Sequence, residues 1–163
     1  MKEFVEKGKM FFATGTGFEL LGQYLITKEG KTLSALGLGD FSVKQSDKRY
    51  MGDVIATFLP EEMPPLIGYL NCSGIVEGEK EAFSRITFGP KKLEGTKEGF
   101  VKGKCLATHM IGPVLVRNPH LLEQIVFWLG EEKGVTPNEA DNSLAKEAYA
   151  RSLAGLQERD GKK

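Results

Sequence analysis

A short apolar run that stops at a glycine-rich turn constrains the fold more than any other feature. Residues 9–14 read Lys-Met-Phe-Phe-Ala-Thr, and Gly15, Thr16 and Gly17 follow directly. An apolar run of this length is typical of a strand covered on both faces, and the glycines permit a sharp turn. The spacing of apolar residues over 18–24 then predicts a helix. Residues 9–24 therefore predict a strand-turn-helix elbow in an α/β fold.

Alternating short strands and helices are predicted around this elbow. A helix over residues 2–7 is expected to end at Gly8, and Asn118-Pro119 predicts the start of a helix through Leu129. Apolar residues occur on nearly all sides of this second helix, which predicts that it is buried. A capping-box pattern over residues 136–139 predicts a last helix, which runs to about Leu156. Short strands are predicted at residues 33–38, 54–59, 66–70, 85–88 and 104–108.

Length and charge exclude several classes of protein. The 163 residues have the length of one domain, and the 22 basic residues equal the 22 acidic ones, with no basic run of the kind that nucleic-acid binders carry. No stretch of about 18 apolar residues occurs, so membrane insertion is not predicted and a cytoplasmic location is expected. The two cysteines are too few for a disulfide framework and have no zinc-site spacing.

The predicted elbow has the geometry of a nucleophile platform. A strand, a tight turn and a helix lift one side chain beside the backbone amides of the helix N-terminus, and that side chain is normally Ser or Cys. Here the turn offers Gly15, Thr16 and Gly17, so only the Thr16 hydroxyl could act there. No base is apparent for it, because His109 is interpreted as a satisfied strand residue.

Three blocks, in order, carry a resemblance to a known family. Residues 13–22, ATGTGFELLG, resemble the elbow of class I glutamine amidotransferases of the cobyric acid synthase type, where the catalytic Cys matches Gly15. Residues 66–74, LIGYLNCSG, are similar to the family form (I/V)-G-(F/Y)-E-N-H-x-G. Residues 107–119, ATHMIGPVLVRNP, preceded by Glu98-Gly99, are similar to G-T-Y-x-H-G-P-x-L-x-x-N-P, whose catalytic His matches Ile111.

The subgroup that this chain most resembles is the amidotransferase subunit of lipid II isoglutaminyl synthase. The resemblance implies a flavodoxin-like sheet with flanking helices, a role in supplying ammonia from glutamine to a Mur-ligase-like synthetase partner, and no cofactor. It places glutamine against Thr16, Gly17 and Arg49. It also implies that the single domain over residues 1–163 is incomplete at its N-terminus, because family members have strands before the elbow.

The positions at which this sequence departs from the family pattern are the ones that carry the reactive groups. Gly15 has no thiol and Ile111 no imidazole, while Leu70 and Cys72 replace the acid and the His of the middle block. Cysteine hydrolysis needs both partners, so a catalytically degenerate subunit is predicted.

Four alternatives remain beside this interpretation. They are an active glutaminase with a non-standard nucleophile, an amidotransferase of cobyric acid (cobalamin) synthesis, a non-functional fragment, and a dinucleotide-binding turn. The last is disfavoured because Leu20 stands where a third glycine is required.

Overall fold

A computed structural model describes residues 1–59, 63–78, 81–138 and 140–161. The helices are α1 (Lys2–Glu6), α2 (Thr16–Glu19), α3 (Val114–Arg117), α4 (Pro119–Lys133) and α5 (Ser143–Asp160). The strands are β1 (Phe11–Thr14), β2 (Tyr24–Ile26), β3 (Thr32–Ser34), β4 (Ser42–Phe58), β5 (Leu66–Glu77), β6 (Ser84–Phe88), β7 (Lys97–Glu98), β8 (Phe100–Lys102), β9 (Cys105–Thr108) and β10 (Met110–Ile111).

Two sheets organise these elements. In the smaller sheet the order is β1-β9-β8, and β1 runs parallel to β9. In the larger sheet the order is β10-β5-β4-β2-β3, with β6 and β7 continuing from β4, and β2 runs parallel to β4. Helices flank the sheets, so the predicted α/β fold class is confirmed.

The buried core holds the elbow and the segment around Ile111 in place. One cluster packs Phe18 and Leu21, beyond the turn, against Phe41 and Phe100. A second cluster packs Met110 against the central strands and Leu121 of α4. Each fully buried side chain of this size stabilises the fold by about 1.5–3 kcal/mol. Both segments of the candidate site are therefore anchored by core residues directly next to them.

The helix predicted over residues 18–24 is wrong in extent. After β1 and the turn, α2 covers one turn only, and β2 begins at Tyr24. Gly22 lies so close to the Phe41 carbonyl oxygen that a β carbon there would stand 2.6 Å from it. The Gln23 N–H donates to the same oxygen at 2.7 Å, so contacts with a distant segment replace the continuing helix.

Two other predicted elements differ in their bounds. The strand predicted at residues 33–38 is limited to β3, because the N–H groups of Leu36, Gly37 and Leu38 donate to carbonyls of residues 20–22 instead of a strand neighbour. The last helix begins at Ser143, seven residues after the predicted start. The acid of the predicted capping box, Glu139, lies outside the described residues.

Helix α4 begins at Pro119 after Asn118 and ends at Lys133, and the next residue, Gly134, has a φ of 65°, the left-handed cap conformation. Its start is as predicted, but its burial is not. Leu121 and Ile125 are buried, whereas Leu122, Val126, Phe127 and Leu129 are exposed.

Among the described residues, no helix is long and apolar enough to cross a membrane.

Candidate functional site

The strand-turn-helix elbow is present, and Gly15 lies at its apex. Gly15 follows β1 directly and precedes α2, with φ 59° and ψ −132°. A side chain at this position would be strained by roughly 1–3 kcal/mol, a cost that is typical of functional turns. The Gly15 N–H donates to the Thr108 carbonyl oxygen at 2.8 Å and continues the parallel pairing of β1 with β9. The apex therefore stands at the carboxyl end of β1.

The structure brings Gly15 and Ile111 together across 96 residues of sequence. A β carbon built on Gly15 would lie 3.5 Å from Cγ2 of Ile111, which is ordinary van der Waals contact. Thr14 and the segment from Ile111 to Val116 line a pocket of ≈ 370 Å³ beside this contact. None of these lining residues is ionisable, so the pocket offers aliphatic groups and backbone rather than a proton carrier.

The middle block forms the first part of β5, next to the segment that carries Ile111. Ile111 pairs with Tyr69, and a β carbon at Gly112 would lie 3.8 Å from the Tyr69 Cβ. Asn71 shares this face of β5 with Tyr69, because alternate residues of a strand point the same way. Arg49 Nε donates to Asn71 Oδ1 at 2.5 Å. Arg49 is thus held beside the middle block, on the face that also carries Ile111.

Thr16 and Gly17 form the first turn of α2. Thr16 is exposed to solvent, and its carbonyl oxygen accepts from the Leu20 N–H at 3.4 Å. A β carbon at Gly17 would lie 3.7 Å from the Ala13 Cβ, so the turn passes close over the end of β1.

A buried acid-imidazole-acid cluster lies beneath the elbow, and sequence reasoning did not find it. His109 Nε2 lies 3.2 Å from Glu19 Oε1, and His109 Nδ1 lies 3.8 Å from Glu98 Oε1. Glu19, Glu98 and His109 are only 4%, 5% and 6% exposed. His109 has a hydrogen-bond partner, as predicted, but it lies between β9 and β10 and not within a strand. Because the pairs are 90 and 11 residues apart, no local spacing signals the cluster.

The cluster borders a small cavity of ≈ 80 Å³. Leu70 and Cys72 line it together with Glu98 and His109. The two positions where the family form has an acid and a His therefore face a cavity that already contains both residue types. Among the described residues, no group of three or more potential ligands is arranged to hold a metal ion.

Burial dominates the electrostatics around this cavity. It raises the pKa of Glu98, while His109, the His109 N–H and the Thr108 hydroxyl act in the opposite direction. Burial, followed by the negative charges of Glu98 and Glu19, raises the pKa of the Cys72 thiol to about 11, although Arg49 opposes this. Cys72 is therefore a thiol rather than a thiolate near neutral pH, which makes it a poor nucleophile.

Comparison with known proteins gives a consistent set of relatives. The profile of the CobB/CobQ-like glutamine amidotransferase domain matches residues 1–119. The GatD subunit of lipid II isoglutaminyl synthase (glutamine-hydrolyzing) from Staphylococcus aureus is 28% identical over 151 residues, which are 91% of this chain and 61% of that protein. The subunit of the same name from Streptococcus pneumoniae is 25% identical over 127 residues, 76% of this chain and 48% of that protein.

This chain thus spans about half to three-fifths of the length of these relatives. A solved glutamine amidotransferase from Thermotoga maritima aligns with 96% of this chain and 62% of its own, at 18% identity and a TM-score of 0.46. The profile match extends from α1 to the first residue of α4 and includes the elbow, the middle block and the segment around Ile111. The chain belongs to the CobB/CobQ-like glutamine amidotransferase family.

Proposed function

We propose that this chain is a catalytically degenerate glutamine amidotransferase subunit that works with a Mur-ligase-like synthetase in the cytoplasm, in the amidation of lipid II. Family membership and the names of the two relatives support the pathway. The contact between Gly15 and Ile111 supports the degeneracy. The two positions that the resemblance assigns to nucleophile and base face each other, and neither carries a reactive atom.

The missing atoms are the ones that glutamine hydrolysis requires. A thiolate attacks the side-chain amide carbonyl, and an imidazole transfers a proton to the leaving ammonia. Loss of either group alone typically lowers the rate by several orders of magnitude. His109 is buried between the Glu19 and Glu98 side chains. The chain is therefore proposed to bind glutamine without hydrolysing it.

Arg49 is the proposed anchor for the glutamine α-carboxylate. Guanidinium groups suit carboxylates because they donate two parallel hydrogen bonds. Arg49 is exposed, so its remaining donors can reach a ligand, and Asn71 fixes its position on the face that carries Tyr69 and Ile111. Thr16 and Gly17 would contact the amide end of glutamine at the turn.

Isothermal titration with glutamine, combined with an assay for released glutamate, tests this proposal. We expect binding without turnover, and Arg49→Ala should weaken binding by about tenfold or more, as loss of a charged hydrogen bond does. Lys48→Ala is the matched control, because it removes the neighbouring exposed charge and should leave affinity unchanged. Glutamate release that Thr16→Ala abolishes would instead establish an active glutaminase with a non-standard nucleophile.

Restoring both reactive groups tests the assignment of the two positions. Gly15→Cys combined with Ile111→His should give glutaminase activity above that of either single variant. The single variants lack one half of the pair and serve as controls. Equal rates in the single and double variants, in chains that fold as the unmodified chain does, would contradict the assignment of Gly15 and Ile111 to one site.

The partner is tested by sedimentation velocity with a purified Mur-ligase-like synthetase. A heterodimer is expected, and the cobyric acid alternative predicts binding to a corrinoid-modifying synthetase instead. A chain that binds neither synthetase nor glutamine would be a non-functional fragment.

A further inference from the structure

The chain crosses between the two sheets at two neighbouring points beneath the elbow. It leaves the larger sheet after β7, turns at Gly99 and enters the smaller sheet as β8. It leaves the smaller sheet after β9, passes through His109 and returns to the larger sheet as β10, which carries Ile111. Because Phe100 of β8 pairs with Ala107 of β9, the two crossings lie side by side.

The second crossing is held together by side-chain hydrogen bonds. Glu98 Oε1 accepts from the His109 N–H at 2.7 Å, and Glu98 Oε2 accepts from the Thr108 hydroxyl at 2.9 Å. The Thr108 hydroxyl oxygen in turn accepts from the Met110 N–H at 2.9 Å. A buried N–H group that has no acceptor is strongly destabilising. Glu98 and Thr108 thus supply the acceptors that the backbone needs where it passes from one sheet to the other.

The Glu98 side chain itself starts from a fixed point of the backbone. The next residue, Gly99, has a φ of 75°, and a β carbon there would overlap the Phe83 ring, so only glycine fits. Glu98 pairs with Ser84 of β6, and the Ser84 hydroxyl donates to the Glu98 carbonyl oxygen at 3.1 Å. The first crossing therefore holds the carboxyl group in place against the second.

Thr108 connects this carboxyl group to both sides of the candidate site. Its carbonyl oxygen accepts from the N–H of Gly15 at the elbow apex, and its hydroxyl oxygen accepts from the Met110 N–H, directly before Ile111. Gly15 and Ile111 are the two positions that meet across the site. A shift of the backbone at Thr108 would therefore change the gap between them.

We propose that Glu98 is a positioning residue of the candidate site, which acts through Thr108 to set the separation between the elbow apex and Ile111. Both carboxyl oxygens serve as acceptors, so the role depends on two hydrogen bonds. Binding groups need such support from the residues behind them to keep a precise geometry. The effect on ligand binding rests on the proposed function, in which the amide end of glutamine lies at the turn beside this gap.

Thr108→Val tests the connection, because it removes the hydroxyl and keeps the shape of the side chain. Hydrogen exchange at the Met110 amide, relative to the amides of α4, should rise by about tenfold or more, as the loss of one hydrogen bond predicts. The dissociation constant for glutamine should also rise by about tenfold. Thr108→Ser keeps the hydroxyl and should restore both values. Unchanged exchange at Met110 in Thr108→Val would overturn the proposal.

Ser84→Ala is the matched control for a general loss of stability. It also removes a buried hydroxyl that bonds to Glu98, but this hydroxyl contacts the backbone carbonyl and not the carboxyl group. The free energy of unfolding should fall as it does in Thr108→Val, whereas Met110 exchange and glutamine affinity should stay unchanged. Equal loss of affinity in Ser84→Ala and Thr108→Val would show an effect of stability alone and would refute the positioning role.

Glu98→Gln tests the carboxyl group directly. An amide has one acceptor oxygen and a donor NH₂ group, so it cannot accept from both His109 and Thr108. Exchange at the His109 or the Met110 amide should rise by about tenfold or more, and unchanged exchange at both would contradict the role of Glu98. If this variant does not fold, the comparison of Thr108→Val with Ser84→Ala decides.

The two measurements also separate this inference from the proposed function. An unmodified chain that binds no glutamine would contradict the proposed function. Exchange at Met110 would still decide whether Glu98 and Thr108 position the elbow, because that measurement needs no ligand.

Discussion

Asn118 shows how one side chain can have a role that its sequence context does not indicate. The Asn-Pro pair predicts a helix N-cap, and α4 does begin at Pro119, but the Asn118 side chain makes no capping hydrogen bond. It accepts from the Ile67 N–H at 2.8 Å and donates to the Ile67 and Val114 carbonyls at 2.7 Å each. Asn118 thus satisfies backbone groups of β5 at the point where α3 meets α4.

Replacing Asn118 should therefore cost more than the loss of a helix cap. Asn118→Ala leaves the Ile67 N–H and C=O without partners in the core, and the free energy of unfolding should fall by about 3 kcal/mol. A lost cap alone would cost about 1 kcal/mol. Urea denaturation measures the difference. Asn142→Ala, before α5, removes one part-buried hydrogen bond to Glu123 and should cost under about 1 kcal/mol. Equal losses in the two variants would contradict this role of Asn118.

At the candidate site, the sequence predicted the residues that belong to a motif but not the residues that meet only in the folded chain. Gly15 and Ile111 were predicted from motif resemblance, and the structure places them in contact. The cluster of Glu19, Glu98 and His109 has no motif, because its members converge only when α2, β7 and the β9–β10 junction pack together. A local sequence pattern predicts contacts within one helix or strand, whereas the residues of this cluster come from different elements and meet only through tertiary packing.

Among the elements, the shortened α2 shows where propensity is overridden. Apolar spacing predicts a helix over residues 18–24, yet Phe41 approaches the backbone at Gly22 and the chain turns toward β2. The strands at residues 54–59, 66–70, 85–88 and 104–108 were predicted close to their positions, although β4 and β5 extend much further. Long antiparallel pairing between β4 and β5 lengthens both strands, and this contact is not local in sequence.

Two glycine substitutions distinguish the predicted helix from the observed turn. In a helix, Gly22→Ala would raise the free energy of unfolding by about 1 kcal/mol. In the structure, the new methyl group would meet the Phe41 carbonyl and ring at 2.6–2.9 Å, so we expect a loss of about 1–3 kcal/mol. Gly155→Ala is the matched control, because Gly155 lies within α5 with open space around it and should gain about 1 kcal/mol. A gain at both positions in thermal denaturation would contradict the turn.

Over the whole molecule, α5 is attached by a small number of contacts. Leu156 is its only buried residue among those described, and it packs with Ile55, Ile67 and Phe88 of the large sheet. The Tyr149 hydroxyl donates to the Pro65 carbonyl at 2.7 Å, and Arg159 pairs with Asp53 at 2.9 Å. Tyr149 and Leu153 are partly buried against the same cluster, and most of the remaining helix is exposed, so docking of α5 depends mainly on this one apolar stripe with Leu156 as its buried member.

Leu156→Ala should therefore release α5 while the sheets remain folded. Loss of a buried leucine costs about 2–5 kcal/mol and removes the buried side chain of the stripe that Tyr149 and Leu153 complete, and this loss exceeds what the Tyr149 hydrogen bond and the exposed ion pair contribute. Exchange of the α5 amides should rise at least tenfold while protection in β5 changes little, because β5 keeps its pairing with β4. Leu144→Ala is the control, since Leu144 lies at the other end of α5 and is 77% exposed. Equal loss of protection in α5 and β5 would show instead that the helix and the sheet unfold as one cooperative unit.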